Sequence, residues 1–574
     1  MPDLSDPLDS RRQTGAGVLL DAPGAAMEVL VPEADRDRAA SVWRAHAERL
    51  TQALGWDSVL VARPVPRGIS LALSSPVDLL YTATEVNEAA WEATRAEMSG
   101  AAPPDPEAVV ARLRAEAEGE ADPPLKALIA AAEDRDVPLV WDDDAVTVGL
   151  GARGATYPPD ALPAPEAVDW DAVAAIPTAL ITGTNGKTTT VRLLAAMADA
   201  AGHTTGLSTT DYVSVGGEVV ERGDFSGPLG ARAVMRDGRV TFAALETARG
   251  GLLRRGVPVP LVGAAAVTNV AADHLGDYGV ETVRALARAK FVVAKALGLG
   301  GVLVVPADEP DATAEAALQA EALQARGVRL AWTALDPEAE TPTGAPLAAT
   351  VVEGQIVHRD GDGWRAICRV EDIPASLGGA ARHIVRNALT ASLVASALGI
   401  GNEAIATALR GFRSDADDNP GRANRFDVRG ATVVVDYAHN AHGLRALTEA
   451  AEAWPAKRRL VLYGSAGDRR DEDLAAMCDV LARLGADRYL LVDIPGYLRG
   501  RGEGEIPVQL RGLLAEQGVA PDACTLLPDP LAGTEAAVEW VEPGDLAILI
   551  ILTQRAEVLE RLRAEADTAA SQRA

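Results

Sequence analysis

The chain has 574 residues, a formal net charge of −28 and three cysteines. Its length exceeds what one hydrophobic core organises, so we expect three or four domains. The hydrophobic fraction of 48% is typical of a globular protein, and the aromatic fraction of 4% favours aliphatic packing of helices on sheets. The negative charge argues against a general nucleic-acid or anionic-membrane surface, so an anionic substrate has to meet local arginines.

The cysteines and the N-terminus indicate the compartment. Cys368, Cys478 and Cys524 lie far apart without metal-ligand spacing, which favours buried thiols in a reducing environment and predicts neither a zinc nor a redox site. The N-terminus lacks the apolar core of a secretory signal, and no stretch approaches the roughly 18 apolar residues of a membrane span. We expect a cytoplasmic protein whose partners are small molecules, without nucleic acid or membrane. Composition leaves the oligomeric state open.

Residues 1–165 predict a small α+β domain. Residues 1–20 are polar and are expected to be mobile. A strand from Met27 then precedes a helix whose apolar residues share one face: Trp43, Ala47, Leu50 and Leu54. After two more strands and a helix, residues 101–124 predict a solvated helical connector between prolines. The run of aspartates at 142–144 favours a charged turn over a metal site, and a Pro- and Ala-rich linker ends the domain.

Residues 166–415 alternate strands and helices, as in a doubly wound parallel sheet. One apolar strand runs into GTNGKTTT, where a glycine-rich turn opens a helix. Such a turn directs backbone N–H groups and a helix dipole at one point, which suits a polyphosphate. The spacing is G-x-x-G-K-T, a tighter variant of the usual P-loop. We therefore predict ATP or GTP binding by Gly183, Thr184, Asn185, Gly186, Lys187, Thr188 and Thr189, with Lys187 on the β/γ phosphates and Thr188 on Mg²⁺.

Polar residues at later strand ends are placed to act beside the phosphates, because ligands of such sheets bind beyond the carboxyl ends of the strands. Glu246 is placed to hold Mg²⁺ through hard oxygen atoms, with a surface ion pair as the alternative. His274 follows the next strand as either a ligand or a capping residue. Lys290 lies between Leu286 and Val293 in an apolar heptad stripe, which points it inward unless its stem snorkels to solvent. A buried lysine is costly unless it is paired or neutral.

Residues 416–574 predict a second, Rossmann-like α/β unit. Arg422 precedes a strand in the motif NPGR, and Asp436 and His439 follow that strand in DYAHN. Because no nucleophile stands at a strand-to-helix elbow, we favour nucleotide contacts over a hydrolytic site. Two glycine-rich loops with paired arginines follow, at 464–474 and 497–505. They are either solvated or suited to bidentate binding of carboxylate or phosphate.

These motifs occur together and in a fixed order: GTNGKTTT, ETARGG, the N-x-x-x-D-H of 269–274, Lys290, PGR and DYAHN. The combination resembles the Mur ligases, ATP-dependent amide-bond ligases that include the folylpolyglutamate synthetases. The resemblance covers about residues 175–560 and is closest to the Mur-like part of the cyanophycin synthetases, which share SGP, LLRRG, GDRRDED and LRGR. Residues 1–151 are more weakly similar to the part of those enzymes before their ATP-grasp domain. Only a short linker stands where that domain would be, so the backbone-extending activity is expected to be absent.

The resemblance implies a three-domain ligase in which residues 1–165 help to hold the acceptor, 166–415 bind ATP and 416–574 close over the nucleotide. An acceptor carboxylate would attack the γ-phosphate to give an acyl phosphate, and an amine would then displace phosphate to form an amide. Thr188 and Glu246 would hold a first Mg²⁺, and His274 with a carbamylated Lys290 a second. Catalysis would fall to Lys187, Glu246, His274 and Lys290. Arg422 and Asp436 would contact phosphates and ribose, and Asn387 would lie near the adenine.

The expected acceptor is a small acidic amino acid or peptide, and the expected donor is an amino acid or related amine. The residues proposed to contact these substrates are Ser226, Arg249, His439, Asn440, Arg469, Asp471 and Arg499. One alternative is a folylpolyglutamate or poly-γ-glutamate type of ligase. Another is a non-catalytic nucleotide-binding subunit, against which the joint presence of six site residues speaks.

Overall fold

The computed structural model describes residues 4–335, 347–361 and 363–573, with side chains up to residue 566. Within these ranges the strands form four sheets, of four, three, eleven and six strands. Among the described helices, none has both the length and the apolar character that crossing a bilayer requires. The cysteines are free, with Cys368 and Cys478 buried and Cys524 half-buried.

The first sheet is antiparallel, in the order β1-β2-β4-β3, and helices pack on it through a core that contains Met27, Leu71, Trp43 and Trp91. The strands are β1 (Asp9–Gln13), β2 (Gly24–Leu30), β3 (Leu60–Val65) and β4 (Gly68–Ser74). The helices are α1 (Arg36–Ala53), α2 (Leu80–Ser99) and α3 (Pro106–Glu120).

Two expectations for this region are wrong. Residues 9–13 are not mobile but form β1, because Arg11 is buried in ion pairs with Asp9 and Glu28 and donates to the carbonyl of Leu253. The stretch 101–124 is not a purely solvated connector. Its helix α3 buries Leu113 in the core beside α2, and Glu120 accepts hydrogen bonds from the N–H groups of the first turn of α2.

A three-stranded antiparallel sheet follows, with a small core of its own. Its elements are α4 (Pro123–Glu133), β5 (Leu139–Trp141), β6 (Val146–Val148) and β7 (Ala155–Tyr157). The aspartate run lies between β5 and β6, as the predicted charged turn. Asp142 forms ion pairs with Arg232 and Arg236, so the turn also ties this sheet to the next layer.

The central sheet runs β11-β10-β9-β12-β8-β13-β14-β15-β16-β17-β18. Its strands are β8 (Thr178–Thr182), β9 (Thr205–Ser208), β10 (Tyr212–Val215), β11 (Glu218–Arg222), β12 (Phe242–Glu246), β13 (Val262–Val267), β14 (Leu297–Pro306), β15 (Arg329–Ala334), β16 (Leu347–Val352), β17 (Gln355–Asp360) and β18 (Gly363–Arg369). The pairs from β9 through β16 are parallel, which confirms the predicted sheet, and antiparallel strands extend it at both edges.

Helices cover both faces of this sheet, as a doubly wound fold requires. They are α5 (Lys187–Ala200), α6 (Pro228–Arg236), α7 (Arg249–Arg255), α8 (Val283–Lys290), α9 (Pro310–Ala325), α10 (Arg382–Ala397) and α11 (Asn402–Gly411). One core contains side chains of α5, α10 and α11, and the other contains side chains of α6, α8 and α9. Strand β8 lies between β12 and β13, so the turn after β8 is at the centre of the sheet's carboxyl edge.

The last sheet has the order β19-β20-β24-β21-β22-β23 and is parallel except for β19. Its strands are β19 (Asn424–Val428), β20 (Ala431–Asp436), β21 (Arg459–Gly464), β22 (Arg488–Val492), β23 (Cys524–Leu527) and β24 (Leu546–Ile550). Its helices are α12 (Ala441–Glu452), α13 (Asp471–Arg483), α14 (Glu505–Glu516), α15 (Pro530–Trp540) and α16 (Arg555–Arg573). Residues 416–573 are called the C-terminal half below.

Candidate active site

A cavity of about 890 Å³ lies where the carboxyl edge of the central sheet faces the C-terminal half, and we call it the main cavity. It is lined by every residue predicted to bind nucleotide, namely Gly183, Thr184, Asn185, Gly186, Lys187, Thr188, Thr189, Asn387, Arg422 and Asp436. The predicted metal ligands Thr188, Glu246, His274 and Lys290 line it as well. The structure therefore brings these two predicted sets together.

The turn after β8 depends on two glycines with positive φ, Gly183 at 150° and Gly186 at 80°. A Cβ atom on Gly183 would lie 1.8 Å from Thr268 Oγ1, and one on Gly186 would lie 2.3 Å from Asn387 Oδ1. Glycine is therefore needed for both the backbone conformation and the close approach. The turn ends at Lys187, whose Nζ donates to a carbonyl of the turn at 3.0 Å.

Glu246 ends β12 directly beside the turn, because β12 and β8 are parallel neighbours. Its side chain is 2% exposed. One carboxylate oxygen accepts from Thr188 Oγ1 at 2.8 Å, and the other accepts from Thr210 Oγ1 at 2.7 Å. A carboxylate and threonine hydroxyls are hard oxygen donors of the kind that Mg²⁺ prefers. Thr210 lies after β9, a strand that the sequence did not predict.

Three potential ligand side chains cluster at the next strand end, where Asp273, His274 and His439 place their ligand atoms within 4.8 Å of one another. Asp273 also forms an ion pair with Arg469 at 2.9 Å, so a guanidinium already balances its charge. His274 has a positive φ of 48°. Partial burial and the nearby cations Arg469 and Arg249 outweigh Asp273 and lower the pKa of His274 to about 4, so this imidazole is neutral at pH 7.

Lys290 is 2% exposed, which confirms the inward orientation that its heptad position predicts. Burial, followed by the charge of Lys187, lowers the pKa of its amine well below the ordinary value. Among the described residues, no carboxylate lies within 4.0 Å of its Nζ. The stem therefore does not snorkel to solvent, and the amine faces the main cavity in a form that favours neutrality.

The C-terminal half contributes Asp436 and Arg422 to the opposite wall. Asp436 accepts from the N–H groups of Ala423 and Ala438 at 2.8 and 2.7 Å, which fixes both carboxylate oxygens. The Arg422 guanidinium lies 4.2 Å from the centre of the Tyr437 ring. Its Nη1 is buried and has no hydrogen-bond partner among the described residues.

The predicted substrate residues are only partly brought together. Ser226, Arg249 and His439 line the main cavity, whereas Asn440 and Arg469 line an adjoining cavity of about 190 Å³. Asp471 and Arg499 lie outside the linings of both cavities. Among the described residues Asp471 bonds to Arg501 and Gln509, and Arg499 pairs with Asp468. The two arginine-rich loops therefore bind mainly to each other.

Helix α7 forms the wall nearest the N-terminal sheet, and its Arg254 and Arg255 line the main cavity. The N–H groups of Thr14 and Gly15 both donate to the carbonyl of Arg255 at 3.0 Å. Gly256 has a φ of 82°, and a Cβ there would lie 2.2 Å from the Gly15 oxygen. Within the described ranges, no carboxylate lies within 4.0 Å of either guanidinium. The segment after β1 thus contacts α7 at Arg255, whose Nη1 also donates to the Arg12 carbonyl at 2.8 Å.

Sequence comparisons identify domains over most of the chain. Residues 181–395 match the Mur ligase middle domain, and residues 421–550 match the Mur ligase glutamate ligase domain. The chain is 36% identical over 379 residues to a cyanophycin synthetase of Crocosphaera subtropica, covering 65% of this chain and 42% of that protein. It is 31% identical over 280 residues to a UDP-N-acetylmuramate--L-alanine ligase of Mycobacterium avium, covering 46% and 49%. The match thus spans less than half the length of both relatives.

A structural comparison agrees on the fold. The structure of E. coli FolC in complex with DHPP and ADP superposes with a TM-score of 0.50 at 21% identity. The superposition covers 68% of this chain and 89% of that one. At this identity the similarity describes the arrangement of sheets and helices.

Proposed function

The chain belongs to the Mur ligase family through its middle and C-terminal domains, and on that basis we propose that it is an ATP-dependent carboxylate–amine ligase. The observation that carries this proposal is one cavity with two complementary walls. Lys187, Thr188 and Glu246 stand on the wall formed by the central sheet, and Arg422 and Asp436 stand on the wall formed by the C-terminal half. A nucleoside triphosphate between these walls would meet cations, hydroxyls and backbone N–H groups.

In this proposal the chain's own groups act mainly by positioning and by charge. Lys187 and the turn would hold the β and γ phosphates, Arg422 would neutralise charge on the transferred phosphoryl group, and Asp436 would orient the ribose. Asn387 lies against Gly186 and would contact the adenine end. The acceptor carboxylate attacks the γ-phosphorus, the bond to ADP breaks, and an amine then attacks the acyl carbon and releases phosphate.

Thr188 and Glu246 fit a first Mg²⁺, since their oxygen atoms already meet at 2.8 Å beside the turn. When bound, this ion supplies charge neutralisation for the phosphates. A second ion fits His274, whose imidazole is neutral, together with Lys290 if that amine carries a carbamate. A buried amine that favours neutrality is the form that reacts with CO₂, and the carbamate would convert it into an oxygen ligand.

We propose that the acceptor is a small acidic amino acid or peptide. The protein has a net charge of −28, so an anionic acceptor needs local cations, and Arg254 and Arg255 line the cavity with no carboxylate ion pair among the described residues. In the same proposal, residues 1–165 support the acceptor end of the cavity, 166–415 bind the nucleotide and 416–574 complete the site. Ser226 and Arg249 would contact the acceptor, and the adjoining cavity beside Asn440 and Arg469 would admit the amine.

The test is ADP and phosphate release from ATP and Mg²⁺ over a matrix of acceptors and amines. Aspartate- and glutamate-containing amino acids and dipeptides serve as acceptors, with arginine, lysine and other amino acids as donors. We expect turnover only when an acidic acceptor and an amine are both present, with an amide product in the mass spectrum. Turnover restricted to folates with glutamate would instead support the folylpolyglutamate type of ligase. Nucleotide binding without turnover across the matrix would support a non-catalytic subunit.

A further inference from the structure

A buried ion cluster joins the central sheet to the C-terminal half outside the main cavity. The Asp211 carboxylate, 8% exposed, forms an ion pair with Arg192 of α5 at 2.7 Å. Its other oxygen pairs with Arg555, the first residue of α16. Burial alone raises the pKa of Asp211, but the cations of Arg422, Arg555 and Arg192 outweigh it and lower the pKa, so the group is a carboxylate at neutral pH.

The same cluster anchors the segment between α11 and β19. Asn419 is fully buried, and its Oδ1 accepts from Arg192 Nη1 at 2.9 Å. Its Nδ2 donates to Thr189 Oγ1 at 3.1 Å, in the first turn of α5. Helix α5 begins at the phosphate-binding turn. It therefore contacts both the segment between α11 and β19, through Asn419, and the Asp211 carboxylate, which pairs with Arg555 of the C-terminal half.

Asp211 is also one residue from the candidate metal site. Its neighbour Thr210 donates from its N–H and its hydroxyl to the two oxygens of Glu246, at 3.2 and 2.7 Å. On the other side, the Tyr437 ring lies 4.2 Å from the Arg422 guanidinium and 5.4 Å from that of Arg555. The loop 209–211 thus contacts a metal-site carboxylate at one end and Arg555 of the C-terminal half at the other, where the charge of Arg422 also acts on Asp211.

We propose that Asp211 is a positioning residue that couples docking of the C-terminal half to the placement of Glu246 and Arg422. With its carboxylate present, Arg555 and Arg192 are neutralised, Arg422 is held beside Tyr437, and Thr210 is held against Glu246. Without it, three guanidiniums face one another in a buried space, and the repulsion moves the C-terminal half away from α5. The inference rests on the proposed function where it concerns ADP, Mg²⁺ and turnover, and the radius of gyration tests docking independently of it.

The experiment compares Asp211→Asn with Asp417→Asn in the full chain. Asp417 pairs with Arg563 of α16 at an exposed site, so the control removes an ion pair from the same helix and leaves the ion pairs of Asp211 in place. For Asp211→Asn we expect the ADP dissociation constant to rise about tenfold and the Mg²⁺ concentration that supports half-maximal ADP binding to rise as well. We also expect kcat to fall and the radius of gyration in the presence of ADP and Mg²⁺ to increase. Asp417→Asn should match the wild type in each measurement.

Several outcomes decide the proposal. Asp211→Glu, which keeps the charge, should recover part of the ADP affinity and of the Mg²⁺ dependence. If Asp211→Asn does not fold, Arg555→Met breaks the ion pair from the side of the C-terminal half while Asp211 stays paired with Arg192, and it should also raise the ADP dissociation constant and the radius of gyration. ADP affinity, Mg²⁺ dependence and radius of gyration equal to those of Asp417→Asn would overturn the inference. If the wild type binds ADP but ligates nothing, the proposed function fails, and these three measurements still decide the role of Asp211.

Discussion

Asn185 of the phosphate-binding turn and Asn440 at the start of α12 exchange amide hydrogen bonds in both directions, at 3.1 and 3.0 Å. Asn440 also caps α12 by accepting from the Gly443 N–H at 2.9 Å. One residue of the turn is therefore held by the helix that follows DYAHN. The phosphate-binding turn and the C-terminal half are therefore joined by a direct polar contact.

Lys187→Ala and Glu246→Ala should each abolish turnover while the fold remains intact. Both side chains stand where the phosphates would lie, and loss of one preorganised charge there lowers the rate by about 10² to 10³ or more. The measurement is ADP release by the purified variants, with circular dichroism to check the fold. Lys126→Ala, at an exposed site on α4, is the matched control and should turn over normally. Near-normal turnover in either site variant would contradict the assignment of that side chain to phosphate or metal binding.

Gly186→Ala should weaken nucleotide binding, whereas Gly202→Ala should not. Both glycines have positive φ, at 80° and 87°, so both substitutions carry a similar backbone strain of about 1 kcal/mol. Only Gly186 also meets a neighbour, because its Cβ would lie 2.3 Å from Asn387 Oδ1, while the space at Gly202 is open. Displacing the turn should raise the ADP dissociation constant about 10- to 100-fold in calorimetry. Equal affinities in the two variants would contradict this account.

Lys290→Ala should lose activity that short-chain carboxylates such as acetate or formate partly restore. The added acid would enter the space of the buried side chain and supply the oxygen ligand that a carbamate provides. The measurement is ADP release against carboxylate concentration, with Lys126→Ala as the variant that should show no such dependence. Wild-type activity of Lys290→Ala, or a free amine beside two bound ions in a crystal structure, rules out the carbamate.

Arg254→Gln and Arg255→Gln should each raise the KM for an acidic acceptor about tenfold and leave the KM for ATP unchanged. Both guanidiniums line the cavity on α7, without a carboxylate ion pair among the described residues. Arg239→Gln removes an exposed arginine that pairs with Asp237 and should change neither constant. An unchanged acceptor KM in both cavity variants would show that the acceptor binds elsewhere.

Because His358 is buried, the free energy of unfolding should decrease as the pH falls from about 6.5 towards 4. Burial in β17 lowers its pKa to about 4, and its Nε2 lies 2.8 Å from Ser392 Oγ. Below pH 6.5 the unfolded chain binds a proton that the folded chain excludes, so the stabilisation is complete above pH 6.5 and is lost on acidification. Between pH 6.5 and pH 4, the free energy of unfolding should fall less in His358→Leu than in the wild type, by at most about 3 kcal/mol. Parallel curves for the two proteins would contradict the assignment.

The sequence predicted the parts of the fold that local patterns determine. The phosphate-binding turn, the strand end at Glu246 and the inward Lys290 each follow from a short motif or one helical period. The strand β1 was missed because its residues are polar, and its pairing with β2 depends on a buried ion pair between Arg11 and Glu28. The exposed edge strand β11 was missed for a similar reason, since each of its residues is exposed and shows no burial pattern.

The sequence predicts site residues that belong to a short motif. It does not predict ion pairs between residues that are far apart in the chain. Asp273 and Arg469 pair across 196 residues, and Asp211 and Arg555 across 344. Arg499 and Asp471 carry charges that suit a substrate, but neighbouring loops neutralise them among the described residues. Local sequence shows which groups are charged, whereas the packing of two sheets decides which of them face the cavity.

The central claim, that the acceptor carboxylate attacks the γ-phosphate, is tested most directly by oxygen transfer. An acidic acceptor labelled with ¹⁸O in its carboxylates is incubated with ATP, Mg²⁺ and the donor amine, and the released phosphate is analysed by mass spectrometry. We predict one ¹⁸O atom in the phosphate for each amide formed, since the acyl phosphate leaves its bridging oxygen on phosphorus. Unlabelled phosphate accompanying amide formation would contradict the account.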